Sequence, residues 1–219
     1  MIALEYIPRT IVSKDWATII FIITFSIIAI NKLFFDVRFV DFTRLGVSDR
    51  YLKVYVEEVS KSPFAISMFL VMLVSFSFFM QLILTYYNIT ILTDFVIFIR
   101  IFTALFVFIL AKYFIEKIVA ITFEIEPIID EINFAKLNYR AYFGLLILPF
   151  VFVSFYNDWV NEYIIFGSIA IILILNILIY FFSIRKYQNL FFSKFFYFIL
   201  YLCTLEIAPY YFLYVWIIK

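Results

Sequence analysis

Between Lys61 and Asp94 the chain carries no charged residue: Ser62 to Thr93, 32 consecutive positions, are apolar or neutral. A helix crosses a hydrocarbon core of about 30 Å with about 20 residues, so this run supplies one membrane span and a polar turn. The same test places further spans at 16–35, where Lys32 snorkels outward, and at 91–111, which carries Asp94 near its start and Arg100 within it. Others fall at 141–157, 163–184 and 195–218, the last interrupted only by Glu206. Residues 63–87 carry the span inside the long uncharged run. Composition agrees: 67% of residues are hydrophobic and 15% charged, against roughly 45–50% and about 25% in a soluble domain. Mean hydropathy is +1.08. The expected fold class is all-α, a polytopic integral membrane bundle of six transmembrane helices forming one domain over 1–219.

The counts remove much chemistry. There is no His and a single Cys, Cys203, so imidazole bases, zinc sites, iron–sulfur clusters and internal disulfides are out of reach of this chain. The three Gly, at 46, 144 and 167, are too scattered for a phosphate-cradling loop or a G-x-x-x-G helix contact. A net charge of +1 offers no handle on nucleic acid. No cofactor is expected.

Basic residues set the orientation. With six spans, one side holds Arg9, Lys14 and Lys219. The other holds Lys32, Arg38, Arg44, Arg50, Lys53, Lys61, Lys112, Lys117, Lys136, Arg140, Arg185, Lys186 and Lys194. This asymmetry predicts that both termini are periplasmic. Trp16, Trp159 and Trp216 fall at the same outer interface, where indole rings are favoured, and act as interface anchors. The first apolar run has no small-residue cleavage site after it and is expected to stay as an anchor.

Two connections are more than turns. Segment 36–62 mixes charge with apolar residues, whose spacing in Asp49–Glu58 fits both a strand and a helix, and it is expected to lie along the cytoplasmic headgroups. Segment 112–140 is expected to continue the third helix on the face of Phe114, Ile115 and Ile118, until Pro127 ends it. The acidic group Glu124, Glu126, Asp130 and Glu131 matches no metal-ligand spacing and reads as a solvated loop.

The sharpest candidate is Arg100 with Glu206. A charge inside the hydrocarbon costs roughly 2.5–3.5 kcal/mol and therefore faces a partner or a cavity. Rise along the helices puts Arg100 about 14 Å and Glu206 about 18 Å below the outer face, predicting a buried ion pair between the third and sixth helices. It either fixes helix register or forms a polar site for a proton or substrate. Beside it, Thr204, Pro209 and Tyr210 form a helix kink and polar patch, since Pro209 frees a carbonyl that needs a donor. Gln81 and Asn176 read as hydrogen-bond links between helices.

Certain stretches carry a resemblance. Val12-Ser13-Lys14-Asp15-Trp16-Ala17-Thr18, Asn138-Tyr139-Arg140 leading into Gly144 to Pro149, and Phe196 to Cys203 followed by Glu206-Ile207-Ala208-Pro209 span nearly the whole chain. They resemble an uncharacterised family of multi-span inner-membrane proteins from Bacteroidota, a domain of unknown function. The resemblance implies the inner membrane of a Gram-negative cell and a role in envelope assembly linked to type IX secretion. It draws attention to Asp15, Trp16, Glu206 and Pro209 without assigning their roles.

Together these readings predict a non-enzymatic membrane subunit or scaffold whose partners are membrane lipid and another envelope membrane protein. A carrier of a small molecule, lipid or protons using the Arg100/Glu206 region is the alternative. A lipid-directed enzyme would have only Glu206 or Asp15 as acid–base groups.

Overall fold

The computed structural model describes residues 14–46, 48, 50–55, 62–122, 126–157 and 167. Among them are six helices and no strand: α1 (Asp15–Phe34), α2 (Asp36–Thr43), α3 (Arg50–Val54), α4 (Pro63–Tyr86), α5 (Phe95–Thr122) and α6 (Glu126–Tyr156). Four of them, α1, α4, α5 and α6, are long and apolar enough to cross a membrane. The segments expected at 163–184 and 195–218 lie outside the described residues, apart from Gly167.

Helix α4 is the centre. It carries no charge, and Phe64, Met68, Val71, Met72, Leu73, Phe78, Phe79 and Leu82 are buried along it. Pro63 occupies its first turn, where the missing N–H is one the helix would not have used. At its other end Asn88 adopts φ 57°. The amides of Asn88 and Ile89 return to the carbonyl oxygens of Thr85 and Leu84, a left-handed cap that satisfies two terminal carbonyls.

Helix α6 crosses α4 at Gly144. A Cβ there would stand 2.7 Å from Met72 Cα and 3.0 Å from Met72 Cβ, so glycine lets the two backbones approach. One aromatic cluster joins α1, α4, α5 and α6 at one end of the bundle, with Phe21 stacked on Phe78 at 4.4 Å and Phe78 against Phe98 at 4.4 Å. Some polar groups within the bundle are answered locally. Asn31 Nδ2 donates to Ile27 O, and Ser67 Oγ donates to Asn31 Oδ1 at 2.9 Å, linking α4 to α1. Such bonds join helices where lipid supplies no hydrophobic drive.

The polarity of α5 is inside out. Its buried residues are Phe98, Lys112, Glu116 and Ala120. Its exposed ones include Val107, Phe114, Ile115, Ile118 and Ile121. A surface helix in water buries its apolar stripe and shows its charges; the reverse is stable only where the surroundings are themselves apolar. This chain is therefore a membrane-embedded protein.

Two sequence expectations change. Within segment 36–62, α2 and α3 are more than a surface stretch: they bury Phe42, Leu45, Tyr51 and Leu52 against Phe64, Met68, Phe134 and Ala141. The aromatic residues that made its periodicity ambiguous are core residues. Residues 126–140 are the first turns of α6, which starts well before the expected span at 141. Pro127 sits in the first turn of that helix, where its fixed φ and absent N–H are tolerated.

Candidate functional site

At the α1 N-terminal end of the bundle, polar side chains serve the backbone. Trp16 Nε1 donates to Thr93 O at 3.0 Å, and its ring stacks on Phe78 at 5.8 Å. The indole thus stands at the end of the bundle with its ring turned into the packing. Lys14 Nζ donates to Phe155 O at 3.0 Å, answering a carbonyl of the last turn of α6. Gln81, fully buried, donates from Nε2 to Leu92 O at 2.9 Å and Asp94 O at 3.1 Å. It therefore ties the α4–α5 turn to the helix before it. Asp94 Oδ1 accepts from the Val96 amide at 2.8 Å and so caps α5.

The opposite end is basic and rich in buried charge. Arg38 is 7% exposed. Its guanidinium lies over Tyr55 at 4.6 Å and Phe64 at 5.2 Å, and Nη1 donates to Ser62 Oγ at 2.8 Å. Cation–π attraction is stronger when desolvated, so this side chain pins α2 and α3 to the start of α4.

Between α5 and α6 a second group of charges is enclosed. Lys117 Nζ bridges Glu126 at 2.6 Å and Asp130 at 2.7 Å, and Ala120 packs with Ile129 and Val119. These contacts fix an antiparallel register. By helix rise, one turn further along each helix from Ala120 and Ile129 brings Glu116 and Asn133 to the same level, and the next turn brings Lys112 and Lys136. All four are buried: Glu116 is 4% exposed, Lys112 6%, Lys136 8% and Asn133 9%. Lys112 Nζ stands 3.9 Å from Glu116 Oε1, close enough for charge attraction but too far for a hydrogen bond. Among the described residues neither amide atom of Asn133 has a hydrogen-bond partner, nor does Glu116 Oε1. Asn138, also buried, returns its Nδ2 to Phe134 O at 2.8 Å.

This layer is the strongest candidate site among the described residues, and sequence reading took its lysines for topology signals. The clue was present: Lys112, Glu116 and Ala120 recur at a spacing of four, a stripe opposite Phe114, Ile118 and Ile121. Arg100 lies on the exposed side of α5. Glu206, Thr204, Pro209, Tyr210, Trp159, Trp216 and Asn176 lie outside the described residues. Asp15 is exposed in the first turn of α1. Of the acidic group, Glu126 and Asp130 hold Lys117 from the first turns of α6 rather than from a loop. No set of three metal-ligating side chains comes together among the described residues.

No curated protein and no solved structure is detectably similar to the chain. A family model described as a domain of unknown function matches residues 17–217, nearly the whole sequence. The match is consistent with the uncharacterised family expected from the sequence, and this chain belongs to the family Domain of unknown function (DUF4271).

Proposed function

We propose that the protein is a non-enzymatic, multi-pass subunit or scaffold of a cell-envelope assembly in the inner membrane, with a link to type IX secretion. In this reading it has six spans, the basic end of the bundle faces the cytoplasm, and both termini are periplasmic. The observation that carries the reading is the inside-out polarity of α5, whose outward face from Phe95 to Ile121 is apolar but for Arg100. That face is about 39 Å long at 1.5 Å per residue, longer than a hydrocarbon core of about 30 Å. Lipid covers such a face only if the helix tilts strongly; a neighbouring membrane protein covers it without tilt. Meanwhile Lys14, Trp16, Gln81 and Asp94 spend their hydrogen bonds on the chain's own backbone, which suits a structural part better than a reaction centre. Resemblance to a Bacteroidota inner-membrane family supports the cellular location and the secretion link.

The test is purification of the tagged full-length protein in mild detergent. A protein that co-elutes in fixed stoichiometry is the expected result. A monodisperse, partner-free protein from the native membrane contradicts the scaffold reading.

A second reading, a carrier of a small molecule, lipid or protons, draws on buried charge. The sequence places its centre at Arg100 and Glu206; the enclosed Lys112, Glu116 and Asn133 favour a centre between α5 and α6. Intramembrane ionisable residues that face the interior commonly mark a pathway. Loss of solute flux in Glu116→Gln proteoliposomes at normal protein level would select this reading; unchanged flux would exclude that centre.

A further inference from the structure

The layer between α5 and α6 is built wrongly for a dry core. Asn133 brings one acceptor and two donor hydrogens, at 9% exposure, and neither end finds a partner among the described residues. Across the seam Glu116 presents Oε1, also without a hydrogen bond, and Lys112 stands 3.9 Å from it. An orphaned buried polar group costs about 1–3 kcal/mol, and more when charged. A species that both donates and accepts hydrogen bonds answers all of these groups together. It would donate to Asn133 Oδ1 and Glu116 Oε1 and accept from Asn133 Nδ2.

An entry lies one turn away. Lys117, Glu126 and Asp130 stand in the same seam with side chains 29%, 46% and 38% exposed. They make a polar doorway at the basic end, directly before Glu116 and Asn133. Helix α4 adds no charge to the seam. Water is held in a buried site that is polar, has room for it and offers two to four partners; Asn133 and Glu116 supply the partners.

We propose that the Lys112–Glu116–Asn133–Lys136 layer is an internal hydration site, reached from the basic end past Lys117, that admits water and small hydrophilic solutes. The site rests on the membrane reading of α5 but not on either function proposed above.

Substituted-cysteine labelling tests it in the full chain in permeabilised membranes, with Cys203→Ser as background and a membrane-impermeant, water-soluble methanethiosulfonate as probe. Asn133→Cys and Glu116→Cys should each react at least about tenfold faster than Ala135→Cys, because a thiol in apolar surroundings loses its reactive thiolate form. Ala135 is 7% exposed and belongs to the apolar core. Rates equal to that of Ala135→Cys overturn the proposal. Val107→Cys, on the outward apolar face at 56% exposure, separates the two claims. It stays unlabelled if α5 lies in the membrane, and labels rapidly only if the membrane reading itself is wrong. Should the cysteine variants fail to fold, Asn133→Leu gives an independent sign. A lowered melting temperature fits a displaced water and a stranded Glu116; a raised one means a dry orphan was removed, and the proposal falls.

Discussion

Replacing Gly144 with alanine should separate the central helix pair. The added Cβ would lie 2.7 Å from Met72 Cα, 3.0 Å from Met72 Cβ and 3.2 Å from Cγ. Carbon atoms rest at about 3.5–4.0 Å, so α4 and α6 must part by close to 1 Å at the crossing. Rotating the Met72 side chain gives no relief, because two of the three atoms are fixed by the backbone. Overpacking of this kind costs typically about 1–3 kcal/mol, and a backbone-to-backbone clash belongs at the upper end. A better helix propensity of about 0.8–1.0 kcal/mol offsets part of it. The net is about 2 kcal/mol, which in a chain of 150–250 residues lowers Tm by roughly 4–8 °C. Thermal unfolding of detergent-purified protein, followed by Trp fluorescence or by size-exclusion elution after heating, reads this directly. Two internal controls come from the other glycines. At Gly46 a Cβ meets the hydroxyl end of the Tyr142 side chain, 2.9 Å away, and at Gly167 nothing among the described residues lies within 4 Å. The expected order of Tm is therefore Gly167→Ala at or above wild type, Gly46→Ala slightly lower, and Gly144→Ala lowest. Adding Met72→Ala to Gly144→Ala should not restore stability, since alanine keeps both offending atoms. If Gly144→Ala melts with Gly167→Ala, or Met72→Ala rescues it, the close crossing is refuted.

Three further substitutions probe the polar links. Gln81→Leu removes the donor shared by Leu92 O and Asp94 O, and should cost about 1–3 kcal/mol; hydrogen exchange in 87–97 should quicken while that of α6 is unchanged. Arg38→Met removes the charge seated over Tyr55 and Phe64 and the bond to Ser62. It should expose 44–62 to limited proteolysis while α1 and α4 stay protected, and an unchanged cleavage pattern would deny Arg38 its pinning role. Lys117→Met, by contrast, breaks bridges whose partners are 46% and 38% exposed. Such pairs are worth about 0–1 kcal/mol, so Tm should move by no more than a few degrees.

Much of the fold is legible because lipid imposes simple rules. Charge-free length alone locates α1 and α4, and Trp16 falls at a bundle end because an indole with one donor suits that boundary. Hydropathy summed along a segment loses what is arranged around it. Residues 126–140 look too charged for a bundle helix, yet Asn133, Lys136 and Asn138 are buried between helices. Charge on the inner face of a membrane helix lowers its average without breaking its apolar outer face, and Lys112 and Glu116 escape notice for the same reason. Helices α2 and α3 are short, and eight and five residues give too few periods to tell 2.0 from 3.6. Gly144 is one glycine with no sequence partner; its meaning lies in Met72, seventy-two positions away and beside it only after folding. For Arg100 the depth along α5 is readable, but the direction of its side chain depends on which face the neighbours occupy.

The account depends most on a membrane lying between the two ends of this bundle, with the basic end inside. Single cysteines at Asn88, in the α4–α5 turn, and at Ser48, between α2 and α3, sample those ends in a Cys203→Ser background. Treatment of intact spheroplasts with an impermeant maleimide should label Asn88→Cys at once and Ser48→Cys only after the membrane is permeabilised. Equal labelling of both before permeabilisation, or the reverse pattern, would contradict it.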